Sequence, residues 1–328
     1  MTTNRLSFKR KSIAFGRQAQ YQRDPIMSPF PHLSDAAVNF LDQGVRARDR
    51  SARNLPALRA KAMKLAKAEA PRICQEHGVK MDEVTLGGVR CLDVRPTTLR
   101  VGWPILYGFG GGMVEGSPIE DLPIIAPISA QTGARVIVPD YRLAPEHPWP
   151  AAVDDGFAVY RAVAEQTFAI VGESAGGNLS LAWMLKAKAE GMRLPGAAAL
   201  LSPWCDLSNA GESLIFNDGR DPTLTKRNSD IAASCYAGAN NMDQPLISPI
   251  NGMFDSGFPP VLISTGTRDL LLSQAVQLSQ RLRDSGASVD LHVWEDLWHV
   301  FEWYENLPEA QQSIRQIADH LTRIMAGV

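Results

Sequence analysis

From Gly88 onward the chain alternates between two textures. Short apolar, β-rich runs ("RCLDVRP", "WPILYGFG", "ARVIVPDY", "FAIVGES", "GAAALLSPW", "PPVLISTGT", "VDLHVWED") are separated by stretches with helical spacing, among them "AAVDDGFAVYRAVAEQ" and "GNLSLAWMLKAKAEG". Strands apolar on both faces, alternating with helices, specify an α/β fold with a mostly parallel sheet covered on both sides. In such sheets, reactive side chains gather at the carboxyl ends of the strands.

The rest of the sequence bounds the problem. At 328 residues, the expectation is one α/β core with an appendage. With 45% hydrophobic and 21% charged residues and a formal net charge of -2, nothing asks for nucleic acid or an acidic polymer as partner. Cys74, Cys91, Cys205 and Cys235 are widely spaced without a CxxC pair, which suggests neither zinc nor a disulfide framework and fits a reducing cytoplasm. No apolar stretch approaches the roughly 20 residues of a membrane helix, so stable membrane insertion is not expected. The first 23 residues carry Arg5, Lys9, Arg10, Lys11, Arg17 and Arg23 and no carboxylate. That segment reads as a solvated tail or surface helix rather than an organelle address or phosphate-seeking arm. Residues 34–49 and 55–78 recur at helical spacing, with Ser34 as the N-cap.

The strongest local signal is "FAIVGESAGGNLSLAW", residues 168–183. An apolar strand runs into Gly172-Glu173-Ser174-Ala175-Gly176 and then into a helix, the context a GxSxG nucleophile elbow requires. Small residues let strand and helix pass closely while Ser174 is lifted clear of the sheet. A serine hydroxyl is a weak nucleophile and needs a base held by an acid, in the order Ser, acid, His. Asp269 follows the strand "PPVLISTGT", and His299 follows "VDLHVWED" in a loop. His292, inside that last strand, is the weaker base candidate, and Glu295 and Asp296 are rivals for the acid. The glycines of "ILYGFGGGMVEGS" supply backbone N–H groups for the oxyanion that forms when a carbonyl is attacked. Gly111, Gly112 and the N–H of Ala175 are the expected donors.

In these residues the chain resembles the hormone-sensitive-lipase-like branch of the α/β-hydrolases. That branch carries a HGGG loop, GDSAGGN at the elbow, a DYRLAPEHPFPAA-like segment between them, and DxL and HxF around acid and histidine. This chain reads "FGGG", "GESAGGN", "DYRLAPEHPWPAAVDD", "DLL" from Asp269 and "HVF" from His299, over roughly residues 85–328. The resemblance implies an eight-stranded, mostly parallel sheet, a helical cap drawn partly from the N-terminal segment, no cofactor or metal, and ester hydrolysis. It divides the chain into a largely helical segment 1–80 contributing to the cap and a catalytic domain 81–328, with cap helices from about 206–245. It allows a homodimer. Residue by residue, it makes Ser174 the nucleophile, Asp269 the acid, His299 the base, and Gly111, Gly112 and Ala175 the oxyanion donors.

Three departures stand out. Phe109 replaces histidine, Glu173 replaces aspartate, and Asp296 stands where relatives usually have glycine. Phe109, Met113, Trp204 and Trp298 are expected to line an apolar pocket, with Trp303 and Phe216 as further candidates. The "DYRLAPEHPWPAA" segment is expected to support the glycine loop, and His147 within it to be structural. The expected activity is acyl transfer from a small to medium uncharged carboxylic ester to water. A lactone or amide hydrolase, or a non-catalytic small-molecule receptor on the same fold, remains open.

Overall fold

The computed structural model describes residues 32–45 and 51–327. The basic segment 1–23 lies outside them. Two helices come first, α1 (Asp35–Asp42) and α2 (Leu55–His77). Ser34 caps α1 as expected: its hydroxyl accepts from the Ala37 N–H at 3.2 Å. The same hydroxyl donates to Glu309 at 2.9 Å, tying this helix to the far end of the chain.

Next come the strands β1 (Val79–Leu86) and β2 (Val89–Pro96), paired antiparallel from Val79↔Pro96 to Leu86↔Val89. Gly87 and Gly88 turn the hairpin with φ of +58° and +80°, the geometry a tight two-residue loop demands. Sequence patterning did not identify β1. It is an edge strand with one neighbour, and Lys80, Asp82, Glu83 and Thr85 face solvent, so no apolar run marks it.

The remaining elements alternate as the sequence anticipates. They are β3 (Ile105–Gly108), α3 (Leu122–Thr132), β4 (Val136–Pro139), α4 (Ala151–Val163), β5 (Ala169–Glu173), α5 (Ala175–Ala189) and β6 (Ala197–Leu201). There follow α6 (Ser213–Phe216), α7 (Lys226–Ala237), β7 (Val261–Gly266), α8 (Leu272–Asp284), β8 (Val289–Trp294) and α9 (Pro308–Met325). The sheet has eight strands in the order β1-β2-β4-β3-β5-β6-β7-β8. The β2–β4 pair is antiparallel, and every pair from β4 to β8 is parallel. This is the α/β-hydrolase architecture.

Every residue of β3 through β7 is buried. Because successive side chains point to opposite faces, both faces of these strands are covered. The helix α9 packs on α3, β6 and β7, while α5 packs on α4, β3 and β5. At the α4–α5 contact, Gly156 makes room for the buried Trp183 ring; a Cβ there would lie 1.9 Å from Trp183 Cζ2. Gly156→Ala should therefore overpack this contact and lower unfolding stability by about 1–3 kcal/mol. Urea or thermal denaturation reads the shift, and an unchanged midpoint would contradict this packing.

Candidate active site

The nucleophile elbow forms where β5 meets α5. Ser174 sits between them with φ of 51° and ψ of −117°, a conformation costing a non-glycine residue about 1–3 kcal/mol. Its neighbours hold it there. Its N–H donates to Leu201 O at 2.9 Å, and its carbonyl accepts from Trp204 N at 3.0 Å and Asn178 N at 3.2 Å. Close approach of α5 to β3 fixes the turn from below: a Cβ on Gly176 would fall 1.9 Å from Gly108 O.

His299 reaches the serine from the loop after β8. Its Nε2 lies 2.9 Å from Ser174 Oγ, and its Nδ1 lies 3.0 Å from Asp269 Oδ1. Asp269 is fully buried and also accepts from Thr265 Oγ1 at 2.8 Å and Leu271 N at 2.8 Å. Burial opposes its charge, but the attraction of His299 and hydrogen bonds from His299, Ser202 and the Leu271 N–H hold its carboxyl below the usual aspartate range. The rivals point elsewhere. His292 Nδ1 in β8 pairs with Gln316 Oε1 of α9 at 2.9 Å, Asp296 is engaged by Arg268 at 3.0 Å, and Glu295 lies 3.5 Å from Thr267 Oγ1.

The glycine loop follows β3. Gly111 and Gly112 have φ of 103° and 66°, which leaves the backbone free to turn beside Ser174. The loop is braced from behind by the "DYRLAPEHP" segment and by α2. Tyr141 Oη donates to Phe109 O at 2.7 Å, Ala144 N to Met113 O at 2.8 Å, and Arg59 Nε to Val114 O at 2.7 Å. His147 is exposed and takes part through its backbone N–H, which donates to Leu143 O at 2.9 Å.

A cavity of about 280 Å³ opens at this point, lined by Gly111, Gly112, Ser174 and His299. Trp204, Trp303 and Tyr304 line it too, and the stretch between α6 and α7 contributes Thr223 and Leu224, with Asn228, Ser229 and Ala232 from α7 itself. Of the four expected pocket residues, only Trp204 lines the cavity. Phe109 is buried and stacks on Tyr141 with ring centroids 4.0 Å apart, Met113 is buried, and Trp298 stacks on Phe40 of α1 at 4.4 Å. Phe216 is exposed and Ala175 lies buried next to Ser174. Nor is the wall uniformly apolar, because Glu115, Glu120, Asp121 and Glu173 also contribute to it. An apolar residue beside a strand end reads the same in sequence whether it fills the core or faces a ligand, and here the core claims three of four.

Two acidic groups near the site escaped the sequence reading. Asp121 accepts from Tyr107 Oη at 3.0 Å beneath the glycine loop. It also shares a hydrogen bond with Glu173, and burial is the main force raising both carboxyls, Asp121 to about 7 and Glu173 well above the ordinary glutamate value. The shifts favour a proton on Glu173, whose hydrogen bond to Asp121 raises its own carboxyl and lowers that of Asp121. The longer acid at position 173 was the available signal. The second group is Asp221, fully buried behind the triad. It stands in a polar "GRDP" that looks like surface loop, and no signal in the sequence marks it.

Among the described residues, no group of three or more His, Cys, Asp and Glu could hold a metal, and no helix is long and apolar enough to cross a membrane. A family profile described as alpha/beta hydrolase fold matches residues 105–303. An acetyl-hydrolase of Streptomyces hygroscopicus is 33% identical over 252 residues, covering 75% of this chain and 83% of that protein. An esterase of Acinetobacter venetianus is 29% identical over 257 residues, covering 76% of this chain and 84% of that one. Among solved structures, EstE5 superposes with a TM-score of 0.81 at 30% identity, over 89% of this chain and 97% of its own. A hormone-sensitive lipase from a metagenome library gives a TM-score of 0.79 at 33% identity, over 89% and 99%.

The Asp121–Glu173 pair has a pH signature. A carboxyl whose folded value is raised stabilises the fold below its unfolded value near 4 and loses that contribution as pH rises through the folded value, about 7 for Asp121. Compared with wild type, Asp121→Asn should lose less stability between pH 4 and pH 8. Urea midpoints measured across that range check this; parallel curves would contradict the raised Asp121 carboxyl.

Proposed function

Because the chain belongs to the α/β-hydrolases, in their hormone-sensitive-lipase-like branch, and is a carboxylic ester hydrolase, we propose that it works as a serine carboxylesterase through an acyl-enzyme. The observation that carries this reading is the unbroken relay from Ser174 Oγ to His299 Nε2 at 2.9 Å and from His299 Nδ1 to Asp269 at 3.0 Å, beside a glycine loop. His299 takes the Ser174 proton as the oxygen attacks the ester carbonyl. Asp269 holds the imidazole and stabilises its cation, and the N–H groups of Gly111, Gly112 and Ala175 bind the oxyanion. His299 then protonates the departing alcohol, activates water, and releases the acid.

The substrate follows from the cavity. Its volume of about 280 Å³ is at the small end of ligand pockets, which favours short acyl groups, as does the likeness to a protein named acetyl-hydrolase. The carboxyls in its wall disfavour esters that bear a carboxylate of their own. The segment 1–80, through α1 and α2, and the stretch 206–245, through α6 and α7, form the cap that selects the substrate. Four free cysteines support a cytoplasmic enzyme, and the homodimer carried over from the resemblance is read by its mass in solution.

The test is release of p-nitrophenol from acetate, butyrate, octanoate and laurate esters. Wild type should favour acetate and butyrate, and Ser174→Ala should lose about a thousandfold or more in kcat while KM stays within a few-fold. His299→Ala should fall comparably. A folded wild type inactive on all four esters would turn the reading toward a lactone or amide substrate; activity persisting in Ser174→Ala would overturn the nucleophile.

A further inference from the structure

The loops that carry the acid and the base are joined by a carboxylate that is neither of them. Asp221 Oδ2 accepts from the N–H of Leu270, the residue after Asp269, at 3.0 Å and from the N–H of His299 at 3.3 Å. Its Oδ1 accepts from Thr223 N at 2.9 Å, Thr223 Oγ1 at 2.9 Å and Leu224 N at 3.1 Å. Thr223 and Leu224 line the cavity, and the Thr223 hydroxyl also lies 3.4 Å from His299 O. One side chain thus gathers the acid loop, the base loop and a stretch of cavity wall.

Its hydrogen bonds define its charge. Four of the five groups around the two oxygens are backbone N–H, which can only donate, so they favour the carboxylate over the acid. Burial pulls the other way and raises the Asp221 carboxyl above the usual aspartate value, while His299 attracts its negative charge. We propose that Asp221 is a positioning residue: it sets the spacing of Asp269 and His299, and its charge adds to that of Asp269 in supporting the imidazolium during acyl transfer. This rests on His299 being the base. The electrostatics are those of a second anion behind a catalytic histidine, removed from the reacting atoms and contributing through the field.

Other titratable groups near the cluster are constant across the comparison. Glu302 accepts from Ser264 Oγ at 2.6 Å and Ser313 Oγ at 2.8 Å behind the sheet, Asp296 is held by Arg268, and Glu173 with Asp121 lies under the glycine loop. A neutral brace on the same acid loop provides a control. Asn217 Nδ2 donates to Thr267 O at 3.0 Å and Asp269 O at 2.9 Å.

The experiment is the pH profile of kcat/KM on p-nitrophenyl acetate for wild type, Ser174→Ala, Asp221→Asn, Asp221→Ser and Asn217→Ala. Removing the Asp221 charge makes the His299 cation less stable. The acid limb of Asp221→Asn should therefore move down by about 0.5–1 pH unit, with kcat reduced roughly tenfold and KM within about twofold. Asn217→Ala should lose thermal stability with its acid limb in place. Asp221→Ser, smaller and also neutral, carries the same expectation if Asp221→Asn does not fold. An acid limb unmoved in the folded neutral variant, with Ser174→Ala inactive, overturns the role of Asp221 alone. Full activity in Ser174→Ala would overturn the underlying mechanism, and this inference with it.

Discussion

The structure depends on one backbone contact, the passage of α5 across β3 at Gly176 and Gly108, so close that a Cβ on Gly176 would lie 1.9 Å from Gly108 O. With the helix seated there, the turn between β5 and α5 has no room to relax, and Ser174 is forced to φ 51°. Strain of about 1–3 kcal/mol at one residue is sustained because the neighbouring strand and loop saturate its backbone hydrogen bonds. The parallel order β3-β5-β6-β7-β8 then does the remaining placement. It brings the glycine loop after β3, the elbow after β5, the acid loop after β7 and the histidine loop after β8 to the same edge of the sheet. Residues as far apart as Ser174 and His299 meet there because each stands just past a strand end.

That edge contains several carboxyl groups away from water, and they remain there by two different physical solutions. Asp269 keeps its charge because hydrogen-bond donors and a histidine surround it. Glu173 and Asp121 lie against the glycine loop, where burial raises both carboxyls and their mutual hydrogen bond favours a proton on Glu173. Glu302 follows a similar rule: burial raises its carboxyl, against hydrogen bonds from Ser264 and Ser313. The contrast matters for an ester hydrolase. In the proposed mechanism a charge next to His299 would stabilise its cation, whereas a second full charge under the glycine loop would oppose the negative oxygen expected there. Burial raises the Glu173 carboxyl and so favours its neutral form beside that loop.

Much of this was legible in the sequence because the signals were local. Strand, turn and helix around Ser174 lie in one stretch, the strand preceding Asp269 opens on the apolar run Val261–Ile263, and the strand preceding His299 alternates apolar Val289, Leu291 and Val293 with polar residues. The edge strand β1 was missed because its exposed Lys80, Asp82 and Glu83 hide the pattern a buried strand would show. The pocket was misread for a different reason: Phe109 and Trp298 are large aromatic residues beside strand ends, and only three dimensions reveal that Tyr141 and Phe40 cover them. Asp121 and Asp221 look like ordinary loop acids in sequence. Their burial is set by partners such as Tyr107 and His299, many positions away.

The central claim is that Ser174 forms a covalent bond with the acyl group, and trapping that bond tests it most directly. The enzyme would be incubated with a p-nitrophenyl alkylphosphonate, which a serine nucleophile attacks to give a stable phosphonyl adduct, and the modified peptide would be mapped by mass spectrometry. The account expects one adduct per chain, on the peptide containing Ser174, formed far more slowly in His299→Ala. An adduct on another residue, or labelling of Ser174 at the same rate without His299, would contradict it.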